Sequence, residues 1–349
     1  MLINLIKIFL PTTFAFFFGL LITPVATHFF YKYKMWKKYS RNENVTSPEF
    51  QKINNDKEEL KTPRVGGIII WVSALATTLI FYFLSILYPN LSTEKINFLS
   101  RNQTLIPFFT LLVCSLVGLW DDLIQIYGTG KFARDDKSWR IWKSCLVAFI
   151  SLLIGCWFFY KLGMVSLHVP FGGVVTLGIF IIPFFIIVAL ASFSGGVIDG
   201  IDGLSGGVLA SIFAAYSVIA LANNQVNLAT FSGVIAGAIL AFLWFNIPPA
   251  RFYMGETGIL GLTTVLSVVA FLTDSVYVLP IIAGLLVIEV LSVIIQLLSK
   301  KFRKKKIFLS TPIHHHFEAL GWPAYKVTMR AWIVGIVLAF IGVALRLLR

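Results

Sequence analysis

The chain has 349 residues, of which 58% are hydrophobic and only 13% charged, with a mean hydropathy of +0.85 and a net charge of +13. That balance excludes an ordinary soluble globular protein and points to a chain that crosses a membrane many times. The surplus of positive charge belongs with membrane topology and anionic headgroups or substrates, so it is no sign of a nucleic-acid partner.

In chain order, apolar stretches long enough to span a bilayer as helices run over roughly 3–31, 65–88, 104–120, 142–160, 176–196, 204–222, 229–246, 257–273, 277–298 and 328–347. The expected fold class is therefore all-α, a polytopic membrane protein of about ten transmembrane helices. One integral membrane domain is expected over residues 1–349. The first stretch has no small-residue cleavage site after a short apolar core, so it reads as a retained helix. Between the first two spans, Lys38 to Lys61 is polar and mixed in charge and reads as a mobile cytoplasmic loop. With the amino terminus outside, the inside loops hold 23 of the 29 Lys and Arg residues. This asymmetry predicts both termini extracytoplasmic and the large basic loops in the cytoplasm. Cys114, Cys145 and Cys156 fall in or beside spans without metal-ligand spacing and read as small core residues.

The acids fall in few places. Asp121 and Asp122 follow "LLVCSLVGLW", at the inner end of the third span. At a helix C-terminus two carboxylates meet the negative pole and repel each other. A metal ion, Lys131 or Lys143 would compensate them, or the pair marks the membrane edge. "SFSGGVIDGIDGLSGG" then places Asp199 and Asp202 at i, i+3 among six glycines, on one face if helical. A phosphate-metal site and a tight interhelical turn both use that composition. "NIPPARFYMGETG" carries Asn246, Tyr253 and Glu256, with Tyr253 either a base-stacking ring or an interfacial aromatic. Glu289 in "LLVIEVLSVIIQLL" is the one acid expected deep in the membrane. Last comes "TPIHHHFEALGW", three adjacent histidines, His314, His315 and His316, in a chain with only His28 and His168 besides. They suit a phosphate or a metal, or form a polar loop. All four clusters are predicted on one membrane face, whereas a transporter would bury charges in several spans near the midplane.

"KTPRVGG" (61–67), the Asp121-Asp122 pair, "DGIDGL" (199–204), "FYMGETG" (252–258), "IEVLSVIIQ" (288–296) and "PIHHHFEALGWPAYKVTMRAWI" (312–333) stand in that order. Together they resemble the phospho-N-acetylmuramoyl-pentapeptide transferase family, within the polyprenyl-phosphate N-acetylhexosamine-1-phosphate transferase superfamily. The likeness runs over nearly the whole chain, and the histidine motif is its most specific part. The resemblance implies a bacterial inner-membrane enzyme with its active site on the cytoplasmic loops. It implies that UDP-MurNAc-pentapeptide and undecaprenyl phosphate give lipid I and UMP with Mg2+, or Mn2+ in its place, among membrane lipids. A homodimer is one expected assembly.

Carried over by motif, Asp121, Asp122, Asp199 and His314 would be catalytic, with Asp121 accepting the proton of the lipid phosphate or positioning it. Lys131, Lys143, Asp202, Asn246, Tyr253, His315 and His316 would contact substrate, Tyr253 by stacking on uracil. Glu256 and Asp121 would hold the metal. Three departures from the family pattern stand out: Phe193 and Gly196 where it has asparagines, Glu256 for an aspartate, and Val147 for a glutamine. They leave a sister transferase for UDP-GlcNAc or another UDP-sugar, and a catalytically impaired homologue, as alternative readings beside a transporter.

Overall fold

A computed structural model describes residues 2–37, 61–128, 137–169 and 173–348. The predicted loop from Lys38 lies outside the described residues up to position 60, and so does Lys131. The helices are α1 (Leu2–Lys32), α2 (Ile68–Leu87), the short α3 (Leu91–Ile96), α4 (Leu105–Tyr127) and α5 (Lys137–Tyr160). After them come α6 (Ile181–Ser194), α7 (Leu204–Ala222), α8 (Val226–Asn246) and α9 (Gly255–Leu272). The chain closes with α10 (Leu279–Ile282), α11 (Gly284–Phe302), α12 (Ile313–Ala319) and α13 (Ala324–Leu347). Among the described residues nine helices are long and apolar enough to cross a membrane, or ten with the bent pair before and after Ala283 as one span. In such a solvent each backbone amide must be satisfied within its own segment, which these uninterrupted apolar runs allow.

Helix α9 is the axis of the molecule: 89% of its apolar window is buried in the protein, against 22% for α1. Its approach to α4 depends on two glycines. A Cβ on Gly118 would come within 2.2 Å of the Glu256 carbonyl oxygen, and one on Gly261 within 2.1 Å of Ser115 Oγ. Small residues at a helix crossing are the means by which membrane helices approach backbone to backbone. Thr257 Oγ1 locks the crossing by donating to the Ser115 carbonyl at 3.0 Å.

Three predicted elements differ. The third span does not stop at Trp120; α4 runs on to Tyr127 and carries both aspartates inside it. The ninth is broken at Ala283, where the chain bends by 76°. The all-α expectation omits one small antiparallel hairpin, Ser166–Val169 with Gly173–Thr176, in which Ser166 faces Thr176. His168 fastens that hairpin to the end of α9, its ring Nδ1 lying 2.5 Å from Asp274 Oδ2.

Candidate active site

On α4 the buried positions Leu111, Cys114, Ser115, Gly118, Asp121, Asp122 and Gln125 recur at helical spacing. The two aspartates therefore share the face that packs on α9, and only 2% of Asp121 and none of Asp122 is exposed. Trp139 and Lys143 stand one turn apart on α5. Trp139 Nε1 donates to Asp121 Oδ1. Lys143 Nζ donates to Asp121 Oδ2 at 2.9 Å and to Glu256 Oε1 at 3.0 Å. One ammonium thus joins three helices, and Gln125 adds a bond to Asp121 Oδ2 at 3.1 Å.

Asp122 has a different task from its neighbour. Its oxygens accept the backbone amides of Glu256 at 3.1 Å and Thr257 at 2.9 Å. A carboxylate is favoured there, since the first amides of a helix lack partners and carry its positive pole. Asp122 therefore holds the start of α9, and Arg64 Nε lies 4.0 Å from Oδ1. The same α9 start is stitched to "PRVGG": Tyr253 N donates to Pro63 O at 2.8 Å, and Gly66 and Gly67 donate to the carbonyls of Tyr253 and Met254 at 2.9 Å. Gly255, at φ +68°, has no room for a side chain, because a Cβ would sit 1.9 Å from Arg64 O.

Asp199 and Asp202 do not share a helix face. They sit in the turn between α6 and α7, where glycine-rich backbone leaves the helix. Asp199 accepts from Ser205 Oγ at 2.7 Å, and Asp202 Oδ2 from Ala250 N at 3.0 Å. Burial pushes the Asp199 carboxyl above its ordinary range; the Ser205 hydroxyl and the nearby Arg64 charge oppose that, and Glu256 adds to it. Asn246 is spent inside the protein. Its Oδ1 accepts Gly203 N at 3.0 Å and its Nδ2 donates to Phe252 O at 2.9 Å, so it braces the turn. Tyr253 is half-buried beside these strands of backbone.

The histidines lie on a helix, α12, and not in a loop. His314 is 1% exposed, and its Nδ1 meets Glu289 Oε2 at 2.9 Å. Glu289, expected as an isolated deep acid, is thereby part of the site. Its signal was the i+25 separation from His314, which no local pattern reveals. The opposite nitrogen, His314 Nε2, is buried without a hydrogen-bond partner, against Gly200, where a Cβ would come within 2.3 Å of it. An unsatisfied buried nitrogen at a cradle that only glycine leaves open marks a place for a ligand oxygen. His315 Nδ1 pairs with Glu318 Oε2 at 2.7 Å, and His316 Nδ1 accepts Leu309 N at 3.2 Å. The three imidazoles point to three different partners.

A small cavity opens beside Lys143, lined by Trp120, Asp121, Trp139, Trp142, Lys143 and Glu256 among others. Trp139 and Trp142 stack at 5.0 Å, and half of Trp120 is exposed, so an aromatic mouth leads to the charged floor. Among the described residues no group of three or more His, Cys, Asp or Glu side chains converges as a metal centre. Asp121 and Glu256 do converge, on Lys143. Two carboxylate oxygens fit magnesium, which takes one or two carboxylates and completes its shell with water and phosphate oxygens. The adjacent Asp122 is turned to the α9 amides.

The profile described as "Glycosyl transferase family 4" matches residues 104–274. A phospho-N-acetylmuramoyl-pentapeptide-transferase of Levilactobacillus brevis is 35% identical over 81% of this chain and 83% of its own. Those of Bacillus velezensis, at 34% over 81% and 83%, and Geobacillus sp., at 32% over 93% and 94%, are similar over comparable or longer reach.

Removing the shared ammonium leaves two neighbouring carboxylates uncompensated. Lys143→Met is expected to cost about 3 kcal/mol of stability, the order found when one partner of a buried ion pair is lost. Adding Asp121→Asn to it should recover part of the loss. Thermal unfolding of the four proteins of that cycle checks this, and strictly additive losses would deny the coupling.

Proposed function

The chain belongs to the phospho-N-acetylmuramoyl-pentapeptide-transferase family, and from that premise we propose that it moves phospho-MurNAc-pentapeptide from its UDP derivative to undecaprenyl phosphate, giving lipid I and UMP. The observation that carries the reading is the Asp121–Lys143–Glu256 cluster under an aromatic mouth, with His314 Nε2 unpaired at the Asp199–Gly200 turn. In this transfer an oxygen of the lipid phosphate bonds to the sugar-linked phosphorus, and the bond from that phosphorus to the bridging oxygen of UMP breaks. Two anions must meet, so charge has to be offset before the new bond forms.

Each residue has a part in that. Lys143 meets the acceptor phosphate at the floor of the Trp120, Trp139 and Trp142 opening, where the polyprenyl tail stays among indoles. Asp121 takes the proton of that phosphate or orients it. Asp121 and Glu256 would hold a magnesium ion, or manganese, which would supply charge neutralisation at the diphosphate. As an imidazolium, His314 donates from Nε2 to a diphosphate oxygen, while Glu289 accepts Nδ1–H and fixes the ring. Asp199 and Asp202 shape the nucleotide side of the turn, and Tyr253 stacks on the uracil. Asp122 and Asn246 act on the site through the backbone that they hold. The membrane is a bacterial inner membrane, with the site on the cytoplasmic side.

The test is UMP release by purified protein with undecaprenyl phosphate and a panel of UDP-sugars. UDP-MurNAc-pentapeptide should be the best donor; UDP-GlcNAc as the better one would favour the sister transferase, and no UMP from any donor would overturn the reading. Turnover should vanish with chelator and return with magnesium. Glu256→Gln should abolish it, while Glu256→Asp, which keeps the charge, should stay within about tenfold of the parent.

Because Glu289 acts through His314, Glu289→Ala and His314→Ala should each lower turnover about ten- to a hundredfold, the equivalent of a hydrogen bond to a charged group at 1.5–3 kcal/mol. The double variant should lose little more than either. His316→Ala should turn over nearly as the parent does. Additive losses, or a fully active Glu289→Ala, would remove Glu289 from the mechanism.

Orientation has its own measurement. Single cysteines at the exposed positions Ser138 and Lys304 should resist an impermeant thiol reagent added to intact cells, in a background lacking the native cysteines, and one at Lys161 should react. The reverse pattern would turn the protein over in the membrane.

A further inference from the structure

Helix α11 is built inside out. Its buried residues are Gly284, Leu286, Glu289, Ser292, Gln296 and Ser299, one mostly polar face turned toward the protein. Its outer face carries Ile288, Leu291, Ile295, Leu298 and Phe302, all exposed and spaced by three and four. An apolar stripe without protein cover on a membrane helix faces acyl chains. That stripe ends at Phe302, and the charge starts at Lys300, in the same last turn. Lys300, Lys301, Arg303, Lys304 and Lys305 are five cations within six positions, every one exposed. Among the described residues none of the five pairs with a carboxylate.

The turn that presents them is held in place. Gln296 Nε2 donates to Phe308 O at 2.8 Å, and its Oε1 accepts Ile307 N at 2.9 Å and Phe308 N at 3.0 Å. Ser299 Oγ donates to Lys305 O at 2.9 Å. The backbone therefore reverses on bonds supplied by the buried face of α11, and the cations are displayed without further ordering of the chain. Five like charges on one pinned turn repel one another and need a counter-charge at that place. The lipid-facing stripe immediately before them fixes the depth at which it must be found, the headgroup layer.

We infer that the turn from Lys300 to Lys305 is a docking surface for the headgroups of anionic phospholipids, gathered beside the histidine helix. The occupant is set by charge complementarity and by that depth. Through Leu309, whose amide is bonded to His316, the turn continues directly into α12, so the lipids collect at the site end of the bundle. The inference goes beyond the transfer reaction and does not depend on it.

The experiment places the full chain in phosphatidylcholine bilayers containing spin-labelled phosphatidylglycerol or spin-labelled phosphatidylcholine, and measures the motionally restricted fraction of each. The parent should prefer phosphatidylglycerol. Replacing all five cations by glutamine should lower that preference at least about fivefold, which corresponds to about 1 kcal/mol, the contribution of one cation near an anionic surface. Raising salt to about 1 M, where the screening length is about 3 Å, should lower it in the parent too, and that arm needs no variant to fold. The same preference in a transfer-dead Asp121→Asn protein separates this surface from the catalytic reading. Equal preference in parent and glutamine variant, or a preference indifferent to salt, would overturn the inference.

Discussion

Lys143 is the constraint on which the rest of the site depends. Its ammonium lies within 3.0 Å of both Asp121 and Glu256, carboxylates on two helices and 135 positions apart in the sequence. Asp121 is buried and Glu256 half-buried, and a single cation between them turns two like charges into a bound triad. Three helices are thereby fixed at one point: α4 by Asp121, α5 by Lys143 and α9 by Glu256. The adjacent Asp122 adds a second attachment, because it satisfies the first free amides of α9, and helix starts left unsatisfied in a nonpolar surrounding are expensive. Gly118 and Gly261 allow the approach; the ions then decide its register.

Around that point the site divides into two halves. One is the carboxylate and lysine half, flanked by the indoles of Trp120, Trp139 and Trp142. The other is the histidine half, in which Glu289 on the buried face of α11 carries His314 to Gly200. The turn between α6 and α7 lies between them and is braced from several sides: Asn246 and Trp332 bond the backbone of Gly203, and Ala250 and Thr328 bond Asp202. So many side chains spent on one turn leave Asp199 held near both halves, sensing Arg64 and Glu256 while bonded to Ser205.

Much of this was legible as pattern. Apolar runs located the spans, and the placement of Asp121, Asp199, Glu256 and His314 at one end of the bundle followed from counting turns across the membrane. The errors have a common origin. Hydropathy ends a span at its first charges, so α4 read as stopping at Trp120, whereas paired carboxylates continue it for another seven residues. Of the two readings open for Asp199 and Asp202, a shared helix face and a tight glycine turn, the structure has the turn. Glu289 looked like a lone buried acid because its partner is supplied by tertiary contact. Asn246 also braces the backbone at Gly203 and Phe252, and nothing in its neighbours announces that.

The departures from the family pattern acquire a physical meaning in the packing. At Gly196, a Cβ would come within 2.4 Å of Ile259 Cγ2, so a side chain there would push on α9. Ile259 stands three residues after Glu256, on the same face of the helix. Pressure at Gly196 would thus be felt at the carboxylate that meets Lys143, less than one turn away. Val147, one turn beyond Lys143, is buried in the apolar core, and the Lys143 ammonium is bonded to the two carboxylates. A shorter acid at position 256 would fall about 1.5 Å short of that ammonium along the side chain, so the extra methylene of Glu256 and the missing side chain at Gly196 bear on the same contact. Substituting either one therefore perturbs the same contact, that of Glu256 with Lys143.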